Sequence, residues 1–560
     1  MTVTDRPTRR WISRFGGNDD SWVRCGGCHH SIYQRRLERN TMVCPECGHH
    51  FRLTVRQRLD TLLDPGSFAR FGADVAAHDV LRFHDTKPYS QRLAESRRRT
   101  GNQAAVVCGT GAIEDHPVVV AILDFGFLGG SIGTAGGELI CMAAREALRR
   151  RLPLLILAAS GGARMQEGVL SLMQLARTSQ ELARLHEAGI LVININTDPT
   201  YGGSTASFAS LGDLIIAEPG ARIGFAGPAV ISQTIHQALP ASFQTAEYLH
   251  RNGQIDMVVP REALRPTLGR LLRMHATSVP VPATGQSDTV LITDAARLSH
   301  RTASDVVARA RDTARPTTLD HCAGMLEDFV ELHGDRLGGG DDPAIVGGLG
   351  RLADRTVVVI GHQKGHDIAE LTRRNFGMPQ PWGYHKALRL MEYAARFGFP
   401  LVTLVDTPGA YPGVEAEQRG QSYAIARCIQ RMTTLPVPVV TVVTGEGGSG
   451  GALALAAGDR LLIMENAYLS VISPEGCSTI LFGDASSAAR AAGLLGLTPA
   501  DLLAARLVDG VIPETGESTG PTLRAAVIAA LDDLAGLGPA ELRDARYRRI
   551  AAFDGGLGTR

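Results

Sequence analysis

From Val106 to Met274 the chain alternates apolar runs with stretches whose apolar positions recur at helical spacing. Pro117-Val-Val-Val-Ala-Ile-Leu, Pro153-Leu-Leu-Ile-Leu-Ala-Ala and Gly189-Ile-Leu-Val-Ile-Asn-Ile read as buried strands. Residues 138–151 and 166–187 read as the amphipathic helices between them. A Pro/Ser/Thr-rich stretch at about 275–300 interrupts the pattern and reads as a linker. The alternation restarts with Val357-Val-Val-Ile, Pro400-Leu-Val-Thr-Leu-Val and Val437-Pro-Val-Val-Thr-Val-Val, and runs to about Leu534. A polar, helical tail follows to Arg560. Residues 61–100 read as a charged helical lead-in ending at Gly101. Strand–helix alternation of this kind predicts an α/β fold.

The second stretch repeats landmarks of the first. Ser160-Gly-Gly-Ala-Arg and Thr407-Pro-Gly-Ala-Tyr each follow an apolar strand. Tyr201-Gly-Gly-Ser and Ser449-Gly-Gly-Ala follow the next one, and Leu211-Gly-Asp and Ala457-Gly-Asp come after those. The offsets are 247 from Ala163 to Ala410, 248 from Gly203 to Gly451 and 246 from Asp213 to Asp459. Landmarks in one order at a near-constant, domain-sized offset predict a duplicated domain rather than a solenoid.

Composition narrows the function classes. The 560 residues carry no net charge, so the chain as a whole is not a polyelectrolyte binder. No apolar run nears the ~20 residues of a membrane helix, and residues 1–18 lack the apolar core of a secretory signal. The expectation is a cytoplasmic protein with no membrane partner. Gly is abundant, at 63 residues, without any low-complexity tract, which points to many tight turns and close backbone approaches.

Residues 1–60 differ from the rest. They hold eleven Arg and six acidic residues, a net charge of +5. Cys25-x2-Cys28 and Cys44-x2-Cys47 are separated by fifteen residues, the spacing of two knuckles that clamp one tetrahedral ion. Four thiolates close the coordination sphere, so the expected ion is a structural zinc without an open catalytic position. Free thiols, disulfides or an iron–sulfur centre are the alternatives. His29, His30, His49 and His50 flank the pairs and are not needed as ligands. With its basic flank, a ribbon of this type also admits a nucleic-acid contact.

Gly202-Gly203 and Gly450-Gly451 each stand between an apolar strand and a helix, where N–H groups lack intrahelical partners. With no side chains in the way, a carbonyl oxygen can approach such N–H groups, as in an oxyanion hole. Gly161-Gly162 and Pro408-Gly409-Ala410 offer complementary N–H groups one strand earlier. Tighter helix–strand packing is the other reason for such glycines. Gly129-Gly-Ser131-Ile-Gly133 and Gly447-Gly-Ser449-Gly-Gly451 match a nucleophile elbow literally, but no His and Asp partners are singled out for either Ser. Gly445-Glu-Gly-Gly-Ser-Gly-Gly lacks the Lys of a nucleotide-phosphate loop.

At these residues the chain resembles a known family. Residues of about 20–275 resemble the β subunit of bacterial acetyl-CoA carboxylase carboxyltransferase, through the four-Cys ribbon, Asp124-Phe-Gly-Phe-Leu-Gly-Gly-Ser, Ser160-Gly-Gly-Ala-Arg-Met-Gln-Glu, Thr197-Asp-Pro-Thr-Tyr-Gly-Gly and Ile223-Gly-Phe-Ala-Gly-Pro. Residues of about 315–555 resemble the α subunit. The matching stretches there are Asp342-Pro-Ala-Ile-Val-Gly-Gly, Gly361-His-Gln-Lys-Gly, Arg374-Asn-Phe-Gly-Met-Pro, Asp406-Thr-Pro-Gly-Ala-Tyr-Pro-Gly, Gly445-Glu-Gly-Gly-Ser-Gly-Gly-Ala and Ser473-Pro-Glu-Gly-Cys. The resemblance implies two crotonase-like ββα-superhelix domains of the ClpP/crotonase superfamily behind a zinc ribbon. The organisation it implies is a tail at 1–20, the ribbon at 21–60, a β-like domain at 61–275, a linker with a lead-in helix at 276–314 and an α-like domain at 315–555.

It also implies transfer of CO2 from carboxybiotin to acetyl-CoA, giving malonyl-CoA for fatty acid synthesis. Gly202 and Gly203 would hold the thioester oxygen, and Gly450 and Gly451 the biotin oxygen. Gly161, Gly162, Gly409 and Ala410 would complete the two sites. Arg164, Lys364, Arg373 and Arg374 are the candidates for CoA phosphates. Asp124, Asp198 and Asp406, near strand ends, read as structural or turn residues and not as catalytic ones. Ala369 stands where the family usually carries a further Lys, which bears on CoA affinity or acyl preference. The sequence contains neither an Ala-Met-Lys-Met biotinylation site nor an ATP-grasp half, so a biotinylated carrier protein and a biotin carboxylase are the implied partners. A homodimer would match two α plus two β subunits. The competing expectations are another acyl-CoA or a polyketide pathway, a ribbon-based nucleic-acid regulator, and a crotonase-type hydratase or hydrolase using Glu167, Glu446 or Ser449.

Overall fold

The computed structural model describes residues 22–227, 231, 239–276, 291–514 and 519–553. The expected N-terminal tail, positions 277–290 of the expected linker and the last seven residues of the chain lie outside the described residues. The described residues form two compact units. The first comprises the chain up to Glu247 together with Val258–Gly269, and the second comprises Tyr248–Met257 and the chain from Arg270 onward.

In the first unit, the strands run in the order Leu214–Ala217, Val192–Tyr201, Leu154–Ser160, His116–Leu123, Val106–Ile113, Ala69–Phe71. The hairpin side is antiparallel and the four strands from His116–Leu123 onward are parallel. Helices Thr134–Arg150 and Gly168–Glu187 are the crossovers that parallel pairing requires. Their apolar faces (Leu139, Ile140, Ala143, Ala147, Leu182 and Leu185) close over Val119, Ala121, Leu154, Ile156 and Val192 of the sheet. Strands buried on both faces explain the unbroken apolar runs seen in the sequence. The charged lead-in is helical only at its two ends, Val55–Leu62 and Tyr89–Thr100. Between them lies an edge strand, Ala69–Phe71, too short to announce itself by alternation. Gly101 ends the second helix in a left-handed turn, φ 75°.

The second unit repeats this sheet in the order Asp328–Glu331, Ile345–Leu352, Arg355–His362, Leu401–Thr407, Val439–Gly448, Arg460–Met464, Gly510–Ile512. In each unit one long strand changes partner part-way. Val192–Tyr201 pairs first with Leu214–Ala217 and then with Ile223–Gly224. Val439–Gly448 pairs first with Arg460–Met464 and then with Tyr468–Ser470. The described part of the expected linker is not loose chain. Its helix Ala303–Ala310 buries Val306, Val307 and Ala310 against Tyr468, Ala492 and Leu497. Tyr248–Met257 is held in the second unit by Asp256, whose fully buried carboxylate meets Arg336 and Arg389.

The duplication is visible in the backbone. Thr134–Arg150 and Pro381–Phe397, Leu154–Ser160 and Leu401–Thr407, and Val192–Tyr201 and Val439–Gly448 are all related by a shift of 247. Three consecutive residues, Leu128, Gly129 and Gly130, have positive φ (50°, 66° and 63°), and so do Asn375, Phe376 and Gly377 (50°, 55° and 74°). Asp213 accepts a hydrogen bond from the Val192 N–H at 2.8 Å, and Asp459 accepts one from Val439 at 2.8 Å. The shift of 247 corrects the sequence pairing by one residue. Gly202 corresponds to Ser449, both left-handed at φ 62° and 55°, so Gly203 corresponds to Gly450 and Ser204 to Gly451.

Candidate active site and metal centre

The Sγ atoms of Cys25, Cys28, Cys44 and Cys47 lie within 4.8 Å of one another. Two knuckles set them there. The Cys25 N–H donates to His30 O and the Cys44 N–H to His49 O, each at 2.8 Å. Two S–S separations are 3.6 and 3.8 Å. Tetrahedral zinc with Zn–S of about 2.3 Å requires sulfurs about 3.8 Å apart, so the donor set fits that ion. None of the four flanking histidines joins the cluster, and His50 instead accepts from the Arg261 N–H at 3.3 Å. The ribbon is tied to the first unit by Arg261, which donates to the carbonyls of Thr41 and Phe51 at 2.8 and 2.9 Å while pairing with Glu218 at 2.9 Å. Arg58 pairs with the same carboxylate. Burial raises the Glu218 pKa, but the two guanidinium groups more than offset it and hold Glu218 far below the carboxylate range.

In the first unit, the turns after Leu154–Ser160 and Val192–Tyr201 touch backbone to backbone. A Cβ on Gly162 would lie 3.2 Å from the Gly203 nitrogen, and one on Gly203 would lie 3.3 Å from the Ala163 nitrogen. Most N–H groups here are already committed. Gly161 donates to Gly129 O at 2.9 Å, Gly162 to Ser160 Oγ at 3.0 Å, and Gly202 to Phe225 O at 2.9 Å. Among the described residues, no acceptor meets the N–H of Ala163 or Gly203. The expectation that Gly161, Gly162 and Gly202 supply N–H groups is therefore corrected, because their N–H bonds build the turns. The open pair is Ala163 and Gly203.

The second unit repeats the arrangement. Gly409 donates to Thr407 Oγ1 at 3.0 Å, the counterpart of Gly162 on Ser160. The Gly409 N–H is thus committed, which corrects its expected role. Among the described residues, no acceptor meets the N–H of Ala410, Gly450 or Gly451. A Cβ on Gly451 would stand 2.5 Å from the Ala410 nitrogen, so the second glycine turn also packs against the first. A cleft of about 320 Å³ opens beside Pro408, lined by Phe376, Lys364, Glu446, Arg311 and Arg315.

Charged groups brace this cleft. Lys364 Nζ lies 2.8 Å from Asp406 and 2.7 Å from Glu446, joining the ends of three neighbouring strands. Burial lowers the Lys364 pKa, but the two carboxylates more than offset it and raise it. Glu446 also accepts from Arg311 and from the Tyr468 hydroxyl, each at 2.7 Å. In the first unit, the buried Glu167 accepts from Tyr89 Oη and the Thr134 N–H, each at 2.6 Å, and meets Arg164 at 3.4 Å. Both glutamates of the hydratase reading are thus occupied by donors. Ser131 donates to Leu128 O at 2.8 Å and accepts from Arg164 at 3.1 Å, so it is no nucleophile. Ser449 is exposed, and among the described residues no histidine is hydrogen-bonded to it.

Comparison with known proteins assigns the family. A profile described as "Acetyl co-enzyme A carboxylase carboxyltransferase-like" matches residues 292–554, and one described as "Acetyl-CoA carboxylase zinc finger domain" matches residues 22–47. The "Acetyl-coenzyme A carboxylase carboxyl transferase subunits beta/alpha" of Saccharopolyspora erythraea is 60% identical over 95% of this chain and 94% of that protein. The chain belongs to the acetyl-CoA carboxylase carboxyltransferase family. It is a biotin-dependent transferase of that family with beta-type and alpha-type parts in one polypeptide. The like-named Clostridium tetani protein is 41% identical over 95% of this chain and 93% of its own length. A solved transcarboxylase 12S structure, with methylmalonyl-coenzyme A and methylmalonic acid bound, shares the α/β, crotonase-like fold. It gives a TM-score of 0.70 at 24% identity over 90% of this chain and 92% of that one.

For this carboxyltransferase, one of the four expected phosphate ligands, Arg164, is corrected. Arg164 is fully buried and donates to Ser131 and Glu167, whereas Lys364 is partly exposed on the cleft wall with its charge shared by two carboxylates. Arg164 therefore cannot reach a phosphate. Arg373 is exposed beside Glu370 at 3.1 Å, and Arg374 is mostly buried, donating to Pro343 O at 3.1 Å. Asp124 holds a turn, whereas Asp198 and Asp406 lie within strands and brace neighbouring segments. Asp124 accepts from the Gly126 N–H at 2.9 Å, Asp198 pairs with Arg222 at 3.0 Å, and Asp406 accepts from the Glu446 N–H at 2.8 Å. Sequence reading missed Ala163 as a donor, because glycine draws the eye at such turns. The shared Gly-Ala of Ser160-Gly-Gly-Ala and Thr407-Pro-Gly-Ala was the available signal.

Proposed function

We propose that this chain is the carboxyltransferase component of acetyl-CoA carboxylase and transfers CO2 from carboxybiotin, carried on a separate protein, to acetyl-CoA. The observation that carries the reading is the pair of equivalent turns, each presenting uncommitted N–H groups: Ala163 with Gly203, and Ala410 with Gly450 and Gly451. The reaction develops two oxyanions. The N–C bond of carboxybiotin breaks, releasing CO2 and leaving negative charge on the ureido oxygen. The ureido nitrogen takes the α-proton of the acyl-CoA, and the resulting enolate carbon forms a C–C bond with CO2. We assign Ala163 and Gly203 to the thioester oxygen and Ala410, Gly450 and Gly451 to the ureido oxygen. Fixed N–H donors of this kind need no reorganisation as charge appears. A side-chain base is not required, which fits carboxylates already occupied by cations.

We place the beta-type part at 61–275 and the alpha-type part at 315–555. In this reading the protein is cytoplasmic, works with a biotinylated carrier and a biotin carboxylase, and is a homodimer. Among the described residues, no helix is long and apolar enough to cross a membrane. Exposed apolar side chains support self-association in each unit: Met165, Val169, Leu172 and Met173 in the first, and Tyr423, Ile480 and Leu481 in the second. The test is decarboxylation by the purified chain with free biotin as acceptor, comparing malonyl-CoA with methylmalonyl-CoA. Faster turnover of malonyl-CoA is expected. A preference for methylmalonyl-CoA would assign another acyl-CoA, and no turnover of either would overturn the reading.

A further inference from the structure

The peptide that presents the Ala410 N–H also contains the Gly409 carbonyl, and that carbonyl is occupied. Thr407 Oγ1 donates to Gly409 O at 2.7 Å and accepts from the Gly409 N–H at 3.0 Å. One fully buried hydroxyl therefore clamps both sides of Gly409, which sits at φ 149°. In the first unit these two tasks are divided. Ser160 Oγ accepts from the Gly162 N–H at 3.0 Å, but the Gly162 carbonyl accepts from the backbone N–H of Ile132 at 2.8 Å. The carbonyl of the N–H-presenting peptide is thus hydrogen-bonded in both units, by main chain in one and by a side chain in the other. A donor on an amide carbonyl draws electron density from the nitrogen and makes the N–H of that peptide a stronger donor.

We propose that Thr407 is a positioning residue for carboxyl transfer. Its hydroxyl fixes the Gly409–Ala410 peptide and polarises the Ala410 N–H toward the oxyanion that forms in the second unit. The proposal rests on the functional reading above for the identity of that oxyanion. The geometry of the clamp does not depend on it.

The test compares Thr407→Val, which keeps the shape and removes the hydroxyl, with Thr407→Ser, which keeps the hydroxyl. In the full chain, malonyl-CoA decarboxylation with biotin as acceptor should lose ~10- to 100-fold in kcat in T407V. KM for malonyl-CoA should stay near the wild-type value, and T407S should restore most of kcat. A T407V enzyme with wild-type kcat overturns the proposal. So does a T407S enzyme as slow as T407V, which would assign the effect to methyl packing. A readout independent of turnover is the Ala410 amide resonance in 15N-alanine-labelled protein, assigned by its loss in Ala410→Gly. It should move upfield in T407V and stay in place in T407S, and an unmoved resonance in T407V overturns the proposal. An inactive wild-type chain with the expected resonance shift would instead count against the functional reading alone.

Discussion

The two units build one turn in different ways. In the first, Ser204 fills the space behind the turn with its own side chain and donates to Ser160 Oγ at 2.7 Å. In the second, Gly451 leaves that position bare, and the Tyr384 hydroxyl comes within 2.9 Å of where a Cβ would stand. That hydroxyl is fully buried and has no hydrogen-bond partner among the described residues. Tyr384 belongs to the helix Pro381–Phe397, and the matching residue of Thr134–Arg150 is Gly137, packed against Gln174. Duplication thus preserved the backbone while side chains were exchanged between the turn and the helix behind it. The lesson is that an N–H pair is specified by the path of the main chain, and each unit supports that path with its own contacts.

The comparison breaks most sharply at the ribbon, which only the first unit carries. A structural zinc contributes on the order of 10 kcal/mol to a small ribbon. A strong chelator should therefore abolish hydrogen-exchange protection at residues 25–51 and leave the strands of the second unit protected. Metal analysis should give one zinc per chain, and equal loss of protection in both units would contradict the division. Next in size is Lys364→Met. It leaves Asp406 and Glu446 buried without their shared cation and should cost about 3–5 kcal/mol, read as a lower denaturation midpoint of the second unit.

Third, Gly451→Ser puts a Cβ 2.5 Å from the Ala410 nitrogen and should reduce kcat by ~10²- to 10³-fold, whereas Ser204→Ala at the matching position should change it little. Equal effects at the two positions would undo the residue equivalence. The smallest effect is that of acid. Burial raises the Glu446 pKa, but Lys364 and Arg311 more than offset it and hold it low. Asp341 is treated the same way by His333 and Lys386, and Glu218 in the first unit by Arg58 and Arg261. A carboxylate depressed in the folded state stabilises above its unfolded pKa and loses that contribution as pH falls through the folded value. Melting temperature should therefore fall for both units from about pH 5 downward.

Much of this was legible before the fold. The apolar runs gave the central strands because those strands are buried on both faces and need no alternation. The four cysteines gave the metal centre because their spacing encodes knuckle geometry. The duplication was visible at Asp213 and Asp459, which hold the same strand ends. The open N–H groups were less legible. Gly162, Gly202 and Gly409 are glycines because the turns need positive φ, and those same turns consume their N–H bonds, as they do that of Gly161. The residues that stay open, Ala163 and Ala410, carry a small side chain and no unusual signal. Arg164 looked like a phosphate ligand because one-dimensional reading cannot see that it is fully buried, and in the same way it cannot see that Lys364 is shared by carboxylates from two distant strands.

The central claim is that each unit's turn holds one oxyanion. It is tested most directly by a structure of the full chain with a non-hydrolysable acetyl-CoA analogue and biotin bound. The account predicts the thioester oxygen about 3 Å from the Ala163 and Gly203 nitrogens, and the ureido oxygen about 3 Å from nitrogens of the Ala410, Gly450 and Gly451 set. A thioester or ureido oxygen that binds away from these N–H groups would contradict it.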